Sequence, residues 1–295
     1  MKSVLALVLL GFLAGCRRDE KNEPPPPTTA PAPVVTLPPL AAPPAAVLPV
    51  PGFANGVLVS PVGATRPMPL VVAVLGIGDT PEAQCAVWRE LVGQRAFVIC
   101  PRFTPHYVPV QPEGEPLAQG AQGLLGLLGL QGPQTPSADP NAGAVVQSGF
   151  RPTEVPAVEA EIDAAVASAR KIIPKHIAPG PVLYIGFSRG AFLGASIIAR
   201  APTKYPRAIL IEGGQSAWSD ANAAAFAKNG KRVLFACGQP SCVAESTPAA
   251  ELLGRNRITT RIVHGEGEGH GYKGPVKDQI RQAIGWLIEG DPTWK

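Results

Sequence analysis

Residues 181–195, with the sequence PVLYIGFSRGAFLGA, combine a strand, a sharp turn and the start of a helix. The first five residues form an apolar run of strand length, and the last five begin a run of helical character. Between them, residues 186–190 match the pattern Gly-x-Ser-x-Gly. A serine at such a turn has a strained backbone, so its neighbours must be small, and glycine stands on both sides. The stretch predicts a strand–turn–helix unit with Ser188 at its turn.

Apolar runs of strand length alternate with helical segments on both sides of this unit. The predicted strands are residues 56–62, 70–75, 96–100, 182–185, 208–211, 232–237 and 259–263, and the predicted helices are residues 82–92, 155–173, 191–200, 220–228, 248–253 and 276–288. Continuous Val, Ile and Leu runs are typical of strands buried on both faces. The sequence therefore predicts an α/β fold, a mostly parallel sheet with helices on both faces.

The Gly-x-Ser-x-Gly turn in this context resembles the nucleophile elbow of the α/β-hydrolase fold family. The resemblance covers about residues 53–290 and implies a serine hydrolase that cleaves esters by acyl transfer, with Ser188 as nucleophile; a peptidase with the same residues remains open. The family's chain order is serine, acid, histidine. It implies His270, in a glycine-rich segment after the last strand, as the base, with His264 as the alternative.

The resemblance also implies an oxyanion hole built from two backbone N–H groups. One belongs to Arg189, directly after the nucleophile, and the other to Ile77, in the loop after an early strand. Asp79, in the same loop, is interpreted as the cap of the helix that follows.

The acid is the least regular part of the pattern. The family usually carries Asp a few residues after the penultimate strand, but Ser241 stands there, within the sequence CGQPSC at residues 237–242. Some members place the acid one strand earlier, where this chain has Glu212. Glu212 is the first candidate, Glu245 the second, and a chain without an acid the third. The third case would describe a decayed, hydrolase-like lipoprotein that serves as a binding or scaffold module.

Four cysteines in the body of the chain allow three disulfide pairings. The topology of the resembling family favours Cys85–Cys100 and Cys237–Cys242, and four free thiols are the alternative. Disulfides indicate an oxidising compartment outside the cytoplasm.

The amino terminus is typical of a bacterial lipoprotein. Residues 1–15 combine a positive start with an apolar run of about 11 residues, which suits a signal peptide and is too short to span a membrane. The run ends in the sequence LAGC, which resembles a lipobox and implies lipidation of Cys16. Arg17 after this cysteine favours the outer membrane. Residues 16–52 are predicted to be a proline-rich tether, and residues 53–295 the hydrolase domain.

Composition supports this division. The chain of 295 residues contains 35 Pro and 32 Gly, and much of the proline lies in the predicted tether. The net charge of +4, without a run of basic residues, argues against a nucleic-acid partner. No cofactor or metal is predicted, since neither a phosphate-binding loop nor metal-ligand spacing is present. Residues 103–150 are predicted to be an irregular insert, either an apolar lid or a low-complexity insertion; the oligomeric state is left open.

Overall fold

Eight strands form one sheet at the centre of the fold. The computed structural model describes residues 36–103 and 152–295. Its strands are β1 (Ala45–Leu48), β2 (Gly56–Val59), β3 (Met68–Val74), β4 (Phe97–Cys100), β5 (Ile177–Phe187), β6 (Arg207–Ile211), β7 (Arg232–Cys237) and β8 (Thr259–His264). Its helices are α1 (Pro81–Val92), α2 (Val155–Ile172), α3 (Arg189–Arg200), α4 (Asp220–Phe226), α5 (Pro240–Arg255) and α6 (Gly274–Ile288).

The strand order across the sheet is β1-β2-β4-β3-β5-β6-β7-β8. Strands β3 to β8 pair in parallel, whereas β2 is antiparallel to both of its neighbours, β1 and β4. Because β5 and β6 are neighbours, residues that follow them lie at one edge of the sheet. The prediction of a mostly parallel α/β sheet is confirmed.

Helices cover both faces of the sheet, which explains the continuous apolar runs. Alternate residues of β3 belong to two different cores: Leu70 and Val72 pack with α2, α3, α4 and α5, whereas Val71 and Ala73 pack with α1 and α6. A strand buried on both faces needs apolar side chains at every position.

The sheet begins earlier than the sequence predicts. Residues 16–52 were expected to be an extended tether, but β1 pairs with β2 inside this range, from Ala45 opposite Val59 to Leu48 opposite Gly56. The compact unit starts at Thr36, not at residue 53. The prolines that suggested a tether flank β1, and an edge strand tolerates them because one of its sides needs no partner.

Helix α5 is longer than predicted. The sequence suggested a disulfide-sized loop and then a helix over residues 248–253, but the helix begins at Pro240. Proline is favoured in the first turn of a helix, whose first N–H groups have no partner within the helix. Pro248 lies inside α5, although it resembles a helix start. Only Gly238 and Gln239 therefore separate β7 from α5.

Both predicted disulfides, Cys85–Cys100 and Cys237–Cys242, are present, with Cα–Cα distances of 5.9 and 5.5 Å. The cap of α1 is Thr80, whose side chain accepts a hydrogen bond from the N–H of Ala83. The prediction that Asp79 is this cap was wrong by one residue.

Several predictions fall on residues that the structure does not describe. They are the signal peptide, the lipidated Cys16, the first part of the tether and nearly all of the insert at residues 103–150. In the two described segments, no helix combines the length and the apolar character needed to cross a membrane.

Candidate active site

Ser188 lies at the sharp turn between β5 and α3. Its backbone has φ 51° and ψ −115°, a conformation that costs free energy in a residue with a side chain. The N–H of Ser188 donates to the carbonyl of Ile211 over 2.8 Å. The turn is so tight that a Cβ on Gly190 would lie 2.3 Å from the carbonyl oxygen of Val74. Glycine is therefore required there, and the turn has the form of a nucleophile elbow.

Three side chains meet at this turn in a continuous chain of hydrogen bonds. Ser188 Oγ lies 2.9 Å from His270 Nε2, and His270 Nδ1 lies 3.2 Å from Glu212 Oε2. The structure thus brings together the serine, histidine and acid named first from the sequence. A weak nucleophile needs such a base, and the base needs a group that orients it.

Glu212 follows β6 and is almost fully enclosed, with 2% of its side chain exposed. Its backbone adopts φ 50°, in the left-handed region. Its second oxygen, Oε1, accepts hydrogen bonds from the N–H groups of Gly238 at 2.5 Å and Gln239 at 3.0 Å. The alternative acid, Glu245, instead accepts a hydrogen bond from Gln215.

His270 lies in the glycine-rich loop between β8 and α6, next to the aromatic ring of Phe187. The Phe187 ring is 5.3 Å from the imidazole and 4.7 Å from the ring of Tyr272. The Tyr272 hydroxyl donates a 2.6 Å hydrogen bond to Asp79 Oδ2. Burial, together with this bond to a carboxylate, raises the pKa of Tyr272, so its hydroxyl stays a donor at neutral pH. The histidine loop is thereby joined to the loop after β3.

The two predicted oxyanion donors belong to segments that meet at Ser188: Arg189 follows it directly, and a Cβ on Gly76, the neighbour of Ile77, would lie 3.1 Å from the Ser188 Cβ. Arg189 is the first residue of α3, where backbone N–H groups have no acceptor within the helix. Ile77 lies in the loop after β3 and is 71% exposed. This loop meets the elbow, because the N–H of Gly190 donates to the carbonyl of Leu75 over 3.1 Å.

The side chain of Arg189 turns away from the serine into the protein. Its guanidinium pairs with Glu154 at 2.9 Å and lies 4.5 Å from the centre of the Phe103 ring. The N–H of Phe103 also donates to Glu161 over 2.8 Å. Phe103 and Glu154, which lie before and after residues 104–151 in the chain, therefore both contact Arg189 at the base of the elbow.

Glu212 Oε, Cys237 Sγ and Cys242 Sγ lie within 4.8 Å of one another, the spacing of a metal site. The two sulfurs are joined in a disulfide, however, and metals bind the thiolate form of cysteine. This group is therefore a disulfide packed against a carboxylate.

Comparison with known proteins was informative at the level of structure alone. No family model matches the sequence, and no curated protein shows significant sequence similarity to it. A protein from Klebsiella pneumoniae assigned as a dienelactone hydrolase superposes over 83% of this chain and 98% of its own, with a TM-score of 0.53 and 16% identity. The esterase PE8 superposes over 79% of this chain and 98% of its own, with a TM-score of 0.51 and 18% identity.

The fold is that of the α/β hydrolases. A third structure, a thermostable esterase, is longer: the match covers 83% of this chain and 62% of the esterase, with a TM-score of 0.48 and 18% identity.

Sequence reasoning missed three residues of the site. Gly238 and Gln239, whose amides bind Glu212, are predicted from the sequence only as part of the segment between Cys237 and Cys242. Tyr272, two residues after His270, had not been singled out. An aromatic residue in an otherwise glycine-rich loop is a signal that could have drawn attention to Tyr272. Backbone donors such as the two amides leave no mark in a single sequence.

Proposed function

We propose that this protein is a serine hydrolase that cleaves carboxylic esters by acyl transfer. The observation that carries the proposal is the unbroken hydrogen-bond chain from Ser188 Oγ to His270 Nε2 and from His270 Nδ1 to Glu212 Oε2. Both distances fall within or at the limit of the range expected for a nucleophile, its base and the orienting group.

In the first half of the reaction, Ser188 Oγ attacks the carbonyl carbon of the ester while His270 Nε2 takes the hydroxyl proton. Glu212 accepts the Nδ1–H of the imidazole and stabilises the imidazolium. The N–H groups of Ile77 and Arg189 bind the oxyanion of the tetrahedral intermediate, a contribution worth about 10²–10³ in turnover for one donor. The intermediate collapses when His270 gives its proton to the departing alcohol, and the acyl group stays on Ser188.

In the second half, water replaces the alcohol. His270 takes a proton from the attacking water, the oxyanion forms again at the same amides, and Ser188 leaves with the proton from His270. The products are a carboxylic acid and the free enzyme. Each proton that His270 accepts is returned in the same half-reaction, so the cycle needs no cofactor.

Esters are the preferred substrate class for two reasons. The structures with the same fold include proteins described as an esterase and as a dienelactone hydrolase. The site is also open to solvent, since Ser188 is half-buried and His270 has 48% of its side chain exposed. Small esters can reach such a site without a large rearrangement.

A fluorophosphonate probe and a panel of p-nitrophenyl esters test this proposal. The purified protein should be labelled at Ser188 and should hydrolyse short-chain esters. Ser188→Ala should abolish both, and His270→Ala should abolish turnover and labelling. His264→Ala is the matched control and should keep both.

Three results would redirect the proposal. Equal labelling of the His270→Ala variant and the unmodified protein would contradict the assigned base. Hydrolysis of peptides in preference to esters would indicate a peptidase with the same three residues. Complete absence of labelling and turnover would favour the binding or scaffold role. That role was suggested by a missing acid, whereas Glu212 is hydrogen-bonded to His270.

We also propose that the domain is held at the bacterial cell envelope by lipid on Cys16, with the outer membrane as its destination. The support lies in the sequence: the apolar run before the sequence LAGC, the proline-rich segment after it, and Arg17 beside the cysteine. The two disulfides agree with an oxidising compartment.

Membrane fractionation of two variants tests this anchoring. Cys16→Ser should accumulate as an uncleaved precursor without lipid, and its normal processing would contradict lipidation. Arg17→Asp should shift the lipidated protein towards the inner membrane. Unchanged sorting of this variant would contradict the assigned destination.

A further inference from the structure

The carboxylate of Glu212 rests on a two-residue loop that a disulfide closes. Gly238 and Gln239 connect β7 to α5, and both of their N–H groups donate to Glu212 Oε1. Cys237, the last residue of β7, and Cys242, in the first turn of α5, bracket this loop and are bonded to each other. The disulfide therefore closes a small covalent ring that contains both amides that bind the acid.

The disulfide lies directly against the acid. Ligand atoms of Glu212, Cys237 and Cys242 are within 4.8 Å of one another, and both cysteines are buried, at 0% and 6% exposure. Only 2% of the Glu212 side chain is exposed, so Oε1 depends on the two loop amides for its hydrogen bonds. A buried carboxylate that loses such donors must find new ones or move towards solvent.

The same loop also supports the histidine. A Cβ on Gly238 would lie 2.2 Å from the carbonyl oxygen of Gly269, the residue directly before His270. The N–H of Gly265, at the start of the histidine loop, donates to the carbonyl of Cys237 over 2.7 Å. The acid and the base thus rest on one short segment, and a shift of this segment changes the distance between them.

Glu212 needs this support because its own backbone conformation is strained. Its φ of 50° lies in the left-handed region, which a residue with a side chain adopts only when its surroundings enforce it. The enforcing contacts are the bond from the Glu212 N–H to the carbonyl of Ala236, at the end of β7, and the two amides of the loop. The two amides lie inside the segment that the disulfide closes, and Ala236 directly precedes it.

We propose that the Cys237–Cys242 disulfide is a positioning element of the active site, which holds the loop amides under Glu212 and so keeps Glu212 aligned with His270. The inference rests on the proposed function, because it assigns the disulfide a role in the same three-residue site. It also explains how the chain works without an acid after β7, where the family usually has one. Here the segment after β7 does not supply the acid; it supplies the two N–H groups that bind the acid.

The second disulfide provides a matched control. Cys85 and Cys100 join α1 to β4, and β3 and β5 separate β4 from the strand that carries Glu212. Removing this bond should reduce stability as the loss of a disulfide generally does, without moving the acid.

The experiment compares Cys237→Ser/Cys242→Ser with Cys85→Ser/Cys100→Ser in the full chain. Turnover of p-nitrophenyl acetate is measured well below the unfolding temperature of each variant. The first variant should lose about tenfold to hundredfold in kcat with little change in KM, since a small misplacement of a catalytic group has effects of this size. The control variant should retain the kcat of the unmodified protein.

A spectroscopic measurement separates positioning from activity. The imidazole N–H that Glu212 accepts should give a low-field proton resonance in the unmodified protein, absent in His270→Ala. This resonance should weaken or vanish in Cys237→Ser/Cys242→Ser and persist in the control variant. If the unmodified protein hydrolyses no ester, the proposed function fails, and the resonance still tests the positioning role.

Partial reduction of the unmodified protein covers the case in which the variant does not fold. A trialkylphosphine and water convert each disulfide into two thiols, and the phosphine becomes its oxide. Alkylation and mass spectrometry then give the open fraction of each disulfide. The loss of activity should follow the opening of Cys237–Cys242 and not that of Cys85–Cys100. Full kcat and an intact resonance with Cys237–Cys242 open, in the variant or after reduction, would overturn the proposal.

Discussion

Two residues of the site, Ser188 and Glu212, have left-handed backbone conformations. Each follows a neighbouring parallel strand, β5 and β6, and each turns its side chain towards the loop that carries His270. The strained conformations are stabilised by tertiary bonds, from the Ser188 N–H to β6 and from the Glu212 N–H to β7. Adjacent strands therefore hold the nucleophile and the acid at a fixed separation.

The contribution of the acid can be measured by Glu212→Gln. The amide keeps the shape of the side chain but cannot accept the Nδ1–H as a carboxylate does, and it places an NH₂ group where two backbone amides already donate. We expect kcat for ester hydrolysis to fall by about 10⁴, as in other triads without their acid. Steady-state kinetics on p-nitrophenyl acetate measures this loss.

Glu245→Gln is the matched control for this change. Glu245 accepts a hydrogen bond from Gln215 and not from His270, so its replacement should leave kcat within about twofold of the unmodified value, since it changes no group near the reacting atoms. A large loss of kcat in Glu245→Gln with a small loss in Glu212→Gln would show that Glu245, not Glu212, is the acid.

At the scale of elements, the elbow between β5 and α3 depends on how closely α3 approaches β3. The N–H of Gly190 donates to the carbonyl of Leu75, in the loop that follows β3. The Tyr184 hydroxyl donates to the Gly190 carbonyl over 2.7 Å. These contacts fix the start of α3 directly after the serine. They also fix the position of the Arg189 N–H, the proposed oxyanion donor.

Gly190→Ala tests this close approach. The new Cβ would lie 2.3 Å from the Val74 carbonyl oxygen, a backbone atom that cannot move without distorting β3. We expect the free energy of unfolding to fall by about 1–3 kcal/mol or more, together with a loss of turnover, because the elbow must open. Denaturant unfolding and ester kinetics measure the two effects.

Gly285→Ala is the control for Gly190→Ala. Gly285 lies in α6, and a Cβ there would meet nothing within 4 Å. Alanine should stabilise the helix by up to about 1 kcal/mol. Equal destabilisation by the two substitutions would show that the approach of α3 to β3 does not set the shape of the elbow.

The elements that the sequence predicts well are those with strong apolar patterns. Strands β3 to β7 and α6 follow continuous or periodic apolar runs whose burial leaves few alternatives. Strand β1 is short and largely exposed, so its pattern could not be separated from a proline-rich linker. The start of α5 was missed because Pro248 resembles a helix start, although only Pro240 occupies one.

The candidate site was predictable to a different degree for each residue. Ser188 and His270 follow from local patterns and chain order. The choice of Glu212 over Glu245 depended on family variation, because no single-sequence pattern marks a carboxylate two strands away from its partner. The bond between Tyr272 and Asp79 joins residues 193 positions apart, and only the folded chain brings them together.

At the scale of the whole molecule, three buried tyrosines link the stability of the fold to alkaline pH. Burial raises the pKa of Tyr184, Tyr205 and Tyr272 in the folded state. Below about pH 10, the ordinary pKa of tyrosine, both folded and unfolded states keep these protons. Above it the unfolded state releases them first, so the stabilising contribution is lost as the pH rises.

We therefore expect the free energy of unfolding to decrease above about pH 10, and Tyr205→Phe to reduce the slope by about 1.4 kcal/mol per pH unit, one proton's contribution. Tyr205 suits the test because its buried hydroxyl has no hydrogen-bond partner among the described residues. Denaturant unfolding at a series of pH values measures the slope. An unchanged slope in Tyr205→Phe would mean that this hydroxyl titrates equally in both states.

The position of β1 has a mechanical consequence. A pull on the amino terminus first loads the hydrogen bonds of residues 37–40 to Ala64, Thr65 and His176, and then the four-residue pairing of β1 with β2. In the strand order, β2, β4 and β3 lie between β1 and β5, which leads into Ser188. An anchored molecule under tension would therefore detach residues 37–48 before the strands that lead into Ser188 and Glu212 separate.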